Sequence, residues 1–410
     1  MYKSSKLNKD KKIMVVYSPF EWVNYCRRPH ILALKLYLDL LIIEPPVGLL
    51  FCWLHPDRII NYLKHNRKPR VEADGVMFYR PLTLGTYGTN FKFPFLAKID
   101  RILVKSQINK VIKKLNLTEY IKITYINKVQ QYYLMNLLEC NCQIYEVTDE
   151  YLVQPGESKV DIAKSQTRKI KHAEATILSQ ANIVFASSAN LCESRKLLNN
   201  NTYYIPNTAD FHHFNKSTYP ATIVPTEVLK IAKPRLGYIG NINELIDIEL
   251  LDEILNQNNN YSIILIGNIN GKKKFKNSLQ FTKFLARPNV HYLGYKDYSK
   301  LPDYLKGIDI CLLPFKNCEW MQNSFPNKIF QYMASGKPIV STDFPAIRSA
   351  AKFAYIASDK CQFIEYLKEA LREYDPIKIQ NRINYAKANS TEARAKIKFD
   401  IISDYLLKNN

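Results

Sequence analysis

Between residues 323 and 342 the chain reads NSFPNKIFQYMASGKPIVST, and its residue types suit an anion-binding turn. Pro326 fits the start of a helix, because it lacks the N–H that would be left without a partner there. The spacing predicts a helix over 327–335, beginning at Asn327. Gly336 takes the left-handed position past its end, and Pro338 opens a strand where no donor is needed. Free N–H groups at such a helix start favour a phosphate or carboxylate. Ser324 adds a hydroxyl, and Lys328 adds a cation in the first turn, against the helix dipole. A phosphate would reconcile that cation with the dipole; an ordinary surface lysine is the plainer reading.

Three glycines close apolar runs in the same half: Gly240 in LGYIGNIN, Gly267 in LIGN and Gly294 in YLGY. One glycine at a strand end only permits a turn. Three at successive strand ends invite the reading that a ligand approaches the backbone there. No GxGxxG follows any strand, which disfavours a dinucleotide cofactor. In the first half, Asp149 and Glu150 follow an apolar run in IYEVTDEY. Paired acids at a strand end could orient a hydroxyl or take its proton, although an Asp there also caps helices. Arg28 and His30 in YCRRPHILALKL stand near the first strand's loop. Arg28 could grip a carboxylate or phosphate with two hydrogen bonds, whereas His30 could equally be a buried, satisfied histidine.

The segment 323–338 resembles the P-x-K-x-[FYL]-E-Y-x-A-x-G-x-P motif of GT-B glycosyltransferases in the large retaining family 4. Within that family the chain is most similar to the subgroup for teichuronic-acid and related surface-polysaccharide synthesis. YCRRPHILALKL (25–36), LIIEPP (41–46), IYEVTDEY (144–151), ANIVFASSANL (181–191), IPNTADFHHF (205–214), GYIGNINELIDIELL (237–251) and VHYLGYKDYSKLPDYLKGIDICLLPF (290–315) follow that subgroup's motifs in order. The resemblance implies a nucleotide-sugar donor, UDP- or GDP-linked, with no tightly bound cofactor and no metal. It places the family's two donor-binding glutamates on Asn323 and Gln331, which keep an acceptor oxygen but carry no charge. It sets the backbone of Gly294 and Tyr295 beside the nucleobase and the loop from Gly240 and Asn241 to Asn243 against the diphosphate. With Gly267, Ser324, Phe325, Pro326, Asn327 and Lys328 these make up the donor side, and Lys328 is its main cation. Asp149, Glu150, Arg28 and His30 are the catalytic candidates on the acceptor side. The implied reaction is transfer of the sugar with retention, the leaving diphosphate accepting the proton.

These residues need strands and helices to hold them. KIMVVYS (12–18) reads as a buried strand and 27–38 as a helix. Further strands are expected at 40–44, 76–79, 121–125, 143–147 and 182–188, with helices at 94–115 and 165–180. Continuous β-branched runs separated by helices indicate a parallel sheet covered on both faces. The alternation pauses over 208–232 and restarts at Pro234, with strands in PRLGYIG, YSIILIG, NVHYLG, DICLLPF and KPIVST, and helices to the end. The expected fold class is therefore α/β: two Rossmann-like, doubly wound domains facing a central cleft, of the GT-B type. The expected division is a basic tail at 1–12, an acceptor domain at 13–207, a linker at 208–232, a donor domain at 233–390 and a C-terminal helix at 391–410 that crosses back to the first domain.

The formal charge of +21 over 410 residues fits association with nucleic acid, an anionic membrane or acidic substrates. No RNP, KH or zinc-finger pattern supports a nucleic-acid partner. No apolar run reaches the ~20 residues of a spanning helix, and no signal-peptide core follows the N-terminus. The expected location is the cytoplasm, with the inner face of the membrane as a peripheral contact. A glycan or lipid-linked hydroxyl is the expected acceptor. The eight cysteines show no metal or redox spacing. A catalytically silent homologue that binds another transferase, and a sugar-nucleotide epimerase, are the other readings.

Overall fold

Val, Ile and Leu dominate the short apolar runs, and such side chains are best accommodated on a pleated surface buried on both faces. They form the parallel strands of two separate units in the computed structural model, which describes residues 11–19, 33–51, 59–60, 62–63, 68–72, 74–152 and 164–409. Among the described residues, the first unit holds those up to Tyr151, those from 164 to Ile205, and the stretch from Ala395 onward; the second holds Leu152 and Pro206–Arg394.

The first unit carries β1 (Lys12–Tyr17), β2 (Asp39–Ile43), β3 (Val47–Gly48), β4 (Arg70–Val71), β5 (Met77–Tyr79), β6 (Leu82–Thr83), β7 (Ile121–Ile126), β8 (Cys142–Val147), β9 (Ile183–Ala186) and β10 (Thr202–Tyr204). Its main sheet runs β10-β9-β8-β7-β1-β2-β5-β4, parallel except where β4 meets β5. β3 and β6 pair apart from it. The order reverses between β1 and β7, because β1 pairs with both β2 and β7. The last helix, Thr391–Asn409, ends on this sheet. Its Ala395, Ile402 and Leu406 are buried, Phe399 stacks on Tyr37, and the buried Lys398 ammonium pairs with Glu146 at 2.7 Å. The helix expected at 27–38 lies largely outside the described residues; its described end is a 3-10 turn, Leu34–Leu36.

The second unit carries β11 (Arg235–Ile239), β12 (Ser262–Ile266), β13 (Val290–Tyr292), β14 (Ile310–Leu313), β15 (Ile339–Thr342) and β16 (Tyr355–Ala357). The sheet order β13-β12-β11-β14-β15-β16 is the 3-2-1-4-5-6 arrangement of doubly wound sheets, in which ligands bind where the order reverses, outside the strand carboxyl ends. That point lies between β11 and β14. Two expectations are corrected here. The segment 208–232, read as a linker, places Phe211, Phe214, Val228 and Ile231 in the second unit's core. The stretch after 342, read as helices only, adds the edge strand β16, too short to stand out as a periodic pattern. Among the described residues no helix is long and apolar enough to cross a membrane.

Candidate functional site

In the second unit, the three glycines expected at strand ends line the carboxyl ends of β11, β12 and β13, running outward from the point where the sheet order reverses. Gly240 follows β11 with φ +146°, Gly267 follows β12 with φ +137°, and Gly294 lies beyond β13 with φ +72°. Backbone hydrogen bonds chain them: the N–H of Gly240 donates to Ile266 O at 2.7 Å, and that of Gly267 donates to Gly294 O at 2.8 Å. A β-carbon on Gly267 would stand 2.1 Å from the carbonyl oxygen of Gly240, so no other residue fits without moving the loop.

Lys328 closes the group. A β-carbon on Gly240 would meet the Lys328 side chain at Cε, 2.2 Å away, and the Lys328 ammonium lies 5.2 Å from the centroid of the Tyr238 ring. The helix that carries it, Lys328–Ala334, is one residue shorter at each end than expected, and Asn327 does not cap it with its side chain. Two anchors fix its position. The Tyr332 hydroxyl accepts from the N–H of Ile239 at 2.9 Å, and Phe325 stacks on Phe330 while its carbonyl accepts from Asn207. Among the described residues no carboxylate pairs with Lys328. Burial alone pushes its ammonium down to about 8, because the charge has lost water and gained only a ring face. A half-buried cation without a counter-ion at the reversal point of a doubly wound sheet is a place for an anion.

The remaining donor-side candidates divide. Gln331 sits one turn beyond Lys328 on the same helix. Asn323 and Ser324 do not turn toward it: the segment before Pro326 contains the helix Glu319–Asn323, whose Glu319 and Trp320 carbonyls accept from the Asn323 and Ser324 side chains. The Asn241 amide oxygen accepts from Asn270, and the Tyr295 ring is exposed. A pocket of about 760 Å³, lined by Glu244, Lys272, Lys274, Lys316, Asn317 and Glu319 among others, includes none of these candidates. It borders the segments that follow β11 and β14. The run Lys272–Lys276 stands out in the sequence only as bulk charge, since nothing in its spacing ties it to Lys316.

In the first unit, the acidic pair Asp149–Glu150 is split. Asp149 stays at the strand end and accepts from Thr148 Oγ1 at 3.0 Å and Lys128 Nζ at 3.2 Å. Glu150 turns inward and receives two hydrogen bonds from the Arg195 guanidinium, which also binds Glu174 at 3.0 Å. All three are buried. Burial raises the Glu174 carboxyl while Arg195 counters it. The expectation that Glu150 faces a ligand is therefore corrected: a buried carboxylate needs a cation, and Arg195 supplies it. Arg28 and His30 lie outside the described residues.

Sequence reasoning missed Asn127, directly after β7 where the order of the first sheet reverses. Its backbone N–H donates to Gln131 Oε1 and its carbonyl accepts from the Tyr151 hydroxyl. Gln131 in turn donates to Tyr17 O at the end of β1. Among the described residues the Asn127 carboxamide, 1% exposed, has no hydrogen-bond partner at either atom, and neither has the Tyr17 hydroxyl. Such a group costs about 1–3 kcal/mol. An Asn after a strand reads as an ordinary turn residue, which is why only the structure marks it. Among the described residues, no group of three His, Cys, Asp or Glu side chains is placed to hold a metal ion.

Comparison with known proteins bears on both units. Residues 233–373 match the model of the glycosyl transferases group 1 family. TuaH of Bacillus subtilis (strain 168), a protein to which glycosyl transfer in teichuronic acid biosynthesis is ascribed, is 25% identical over 235 residues, 55% of this chain and 57% of its own length. The match thus spans little more than half of that relative. Among solved structures, the sucrose-phosphate synthase of Thermosynechococcus elongatus superposes with a TM-score of 0.63 at 13% identity, covering 97% of this chain and 100% of its own. Anabaena HepE in complex with UDP and glucose gives 0.61 at 13%, covering 96% and 99%. A trehalose-6-phosphate protein of E. coli bound with UDP-2-fluoro glucose gives 0.63 at 11%, covering 96% and 99%. The chain has the GT-B fold of these neighbours, and its residues 233–373 form a domain of the glycosyl transferases group 1 family.

Proposed function

We propose that the protein is a glycosyltransferase that takes a sugar from a nucleoside-diphosphate donor held on the second unit to a hydroxyl bound by the first. The observation that carries this reading is the half-buried ammonium of Lys328 against Gly240, with no carboxylate partner among the described residues. A diphosphate is the class of anion that this ammonium and the strand-end backbone beside it would hold. The UDP and UDP-sugar complexes of the GT-B neighbours support the same ligand class. In the retaining reaction, the bond from C1 to the diphosphate oxygen breaks. The acceptor oxygen joins C1 on the same face, and its proton passes to the departing diphosphate. Lys328 and the strand-end backbone amides stabilise the charge that develops on the leaving oxygen. Asp149, with Lys128, orients the acceptor hydroxyl.

The relation to TuaH favours a surface polysaccharide as the product and a glycan or lipid-linked acceptor at an anionic leaflet. A thermal-shift screen of UDP- and GDP-sugars tests the donor class, since a ligand of the folded state raises the melting temperature. No shift with any nucleotide-sugar at millimolar concentration would remove the proposal. A second reading, a silent homologue that scaffolds another transferase, is favoured by Asn323 and Gln331, amides where the resembling family has acids. Sugar transfer, or hydrolysis of the donor, by the purified protein excludes it.

A further inference from the structure

The solvent face of the helix Pro94–Lys114 is apolar where a surface helix should be polar. Phe95 is 62% exposed and Ile102 72%, with Phe93, Ile99 and Leu103 also exposed. At 3.6 residues per turn, Phe95, Ile99 and Ile102 fall on one stripe, and Lys113 continues it toward the C-terminal end. Lys98 and Lys105 flank the stripe, and Lys92, Lys110 and Lys114 are exposed as well. The helix has a single acid, Asp100, and that carboxylate is buried beneath it, accepting from the N–H groups of Leu84 and Gly85 and from Asn90. The exposed face therefore carries apolar side chains at one end, lysines along its side and far end, and no negative charge. Leu84 also accepts from the N–H of Leu50, and exposed Leu49 and Leu50 lie on that adjoining turn.

We infer that this helix lies in the interface of an anionic lipid bilayer, with Phe93, Phe95, Ile99 and Ile102 entering the acyl boundary and the lysines meeting the headgroups. Charge decides the occupant. A second copy of this chain would bring another lysine-flanked, acid-free stripe against the first, whereas an anionic leaflet complements it. An apolar stripe of this size on a basic helix is the form that surface-seeking helices take. The inference goes beyond the proposed function by locating the membrane contact, and it stands or falls separately, because donor binding in solution does not involve this helix.

The experiment is sedimentation of the full chain with phosphatidylglycerol vesicles and with phosphatidylcholine vesicles, for the wild type and for Phe95→Ser/Ile102→Ser. The wild type should partition onto phosphatidylglycerol vesicles and not onto neutral ones, and the double variant should lose at least about tenfold in partition. Lys98→Ser and Lys105→Ser should each lose about fivefold. Unaltered melting temperature and unaltered thermal shift with nucleotide-sugar keep the variants interpretable as surface changes. Equal partition of wild type and double variant overturns the inference. So does a wild-type dimer in analytical ultracentrifugation that the double variant abolishes, since a second copy then covers the stripe.

Discussion

The side chain of Lys328 occupies the space that a β-carbon on Gly240 would need. The ammonium ends above the ring of Tyr238, unopposed by any carboxylate among the described residues. Position 240 is glycine both because its φ of +146° is rarely open to other residues and because the lysine passes there.

A half-buried cation with no carboxylate partner among the described residues weakens the empty protein. Lys328→Met should raise stability at neutral pH by on the order of 1–2 kcal/mol, the depressed ammonium converted at 1.36 kcal/mol per unit and discounted for partial exposure. The sign is fixed by linkage. Between about 8 and the ordinary lysine value of 10.5, the unfolded chain holds a proton that the folded one has released, so wild-type stability rises with pH there. The variant's advantage should be constant below about 8 and vanish above about 10.5. Urea melts of both proteins from pH 7 to 10.5 provide the check.

The same shift makes donor binding pH-dependent. A diphosphate restores the charged ammonium, so binding takes up a proton when the free lysine is deprotonated. Affinity should be flat below about 8 and weaken by close to tenfold per pH unit above it. The slope should be absent in Lys328→Met, as titration calorimetry in buffers of different ionisation enthalpy can show.

The three strand-end glycines should not be equally sensitive. Gly267→Ala drives a β-carbon into the Gly240 carbonyl and should abolish donor binding while costing about 1–3 kcal/mol of stability. Gly294→Ala meets no atom within 4 Å and bears only the strain of its positive φ, about 1–2 kcal/mol. Binding and melting measured together separate the two cases.

Asn127 gives a prediction in which stability and activity part company. Asn127→Leu removes a buried amide with no partner among the described residues, so stability should hold or rise. Because the amide is sealed from solvent, KM for the acceptor and donor affinity should stay unchanged, and urea melts beside initial-rate assays provide the check. On the donor side, Gln331→Glu restores the resembling family's acid and should be tolerated or raise kcat.

Much of this arrangement was legible in the residues themselves. The strand-end glycines, Pro326, Gly336 and the apolar runs are local signals, and local signals fix elements and their ends. What stayed hidden depends on which way a side chain turns. Asp149 and Glu150 are neighbours in sequence, yet Glu150 is drawn inward by Arg195, 45 residues on. Asn323 and Ser324 fold back on a short helix that no periodicity announces. Asn127 is marked only by the absence of a partner, and the linker residues Phe211 and Phe214 only by the core that receives them. Burial and pairing across the chain are tertiary facts, and composition does not encode them position by position.

The central claim is that Lys328 is the diphosphate cation of a nucleotide-sugar site. Titration calorimetry of the wild type and Lys328→Ala, with the UDP- or GDP-sugar that shifts the wild-type melting temperature, tests it most directly. Loss of a charged hydrogen bond to phosphate predicts a Kd weakened by about 1.5–3 kcal/mol, roughly tenfold to over a hundredfold. An unchanged Kd in a folded Lys328→Ala variant would contradict it.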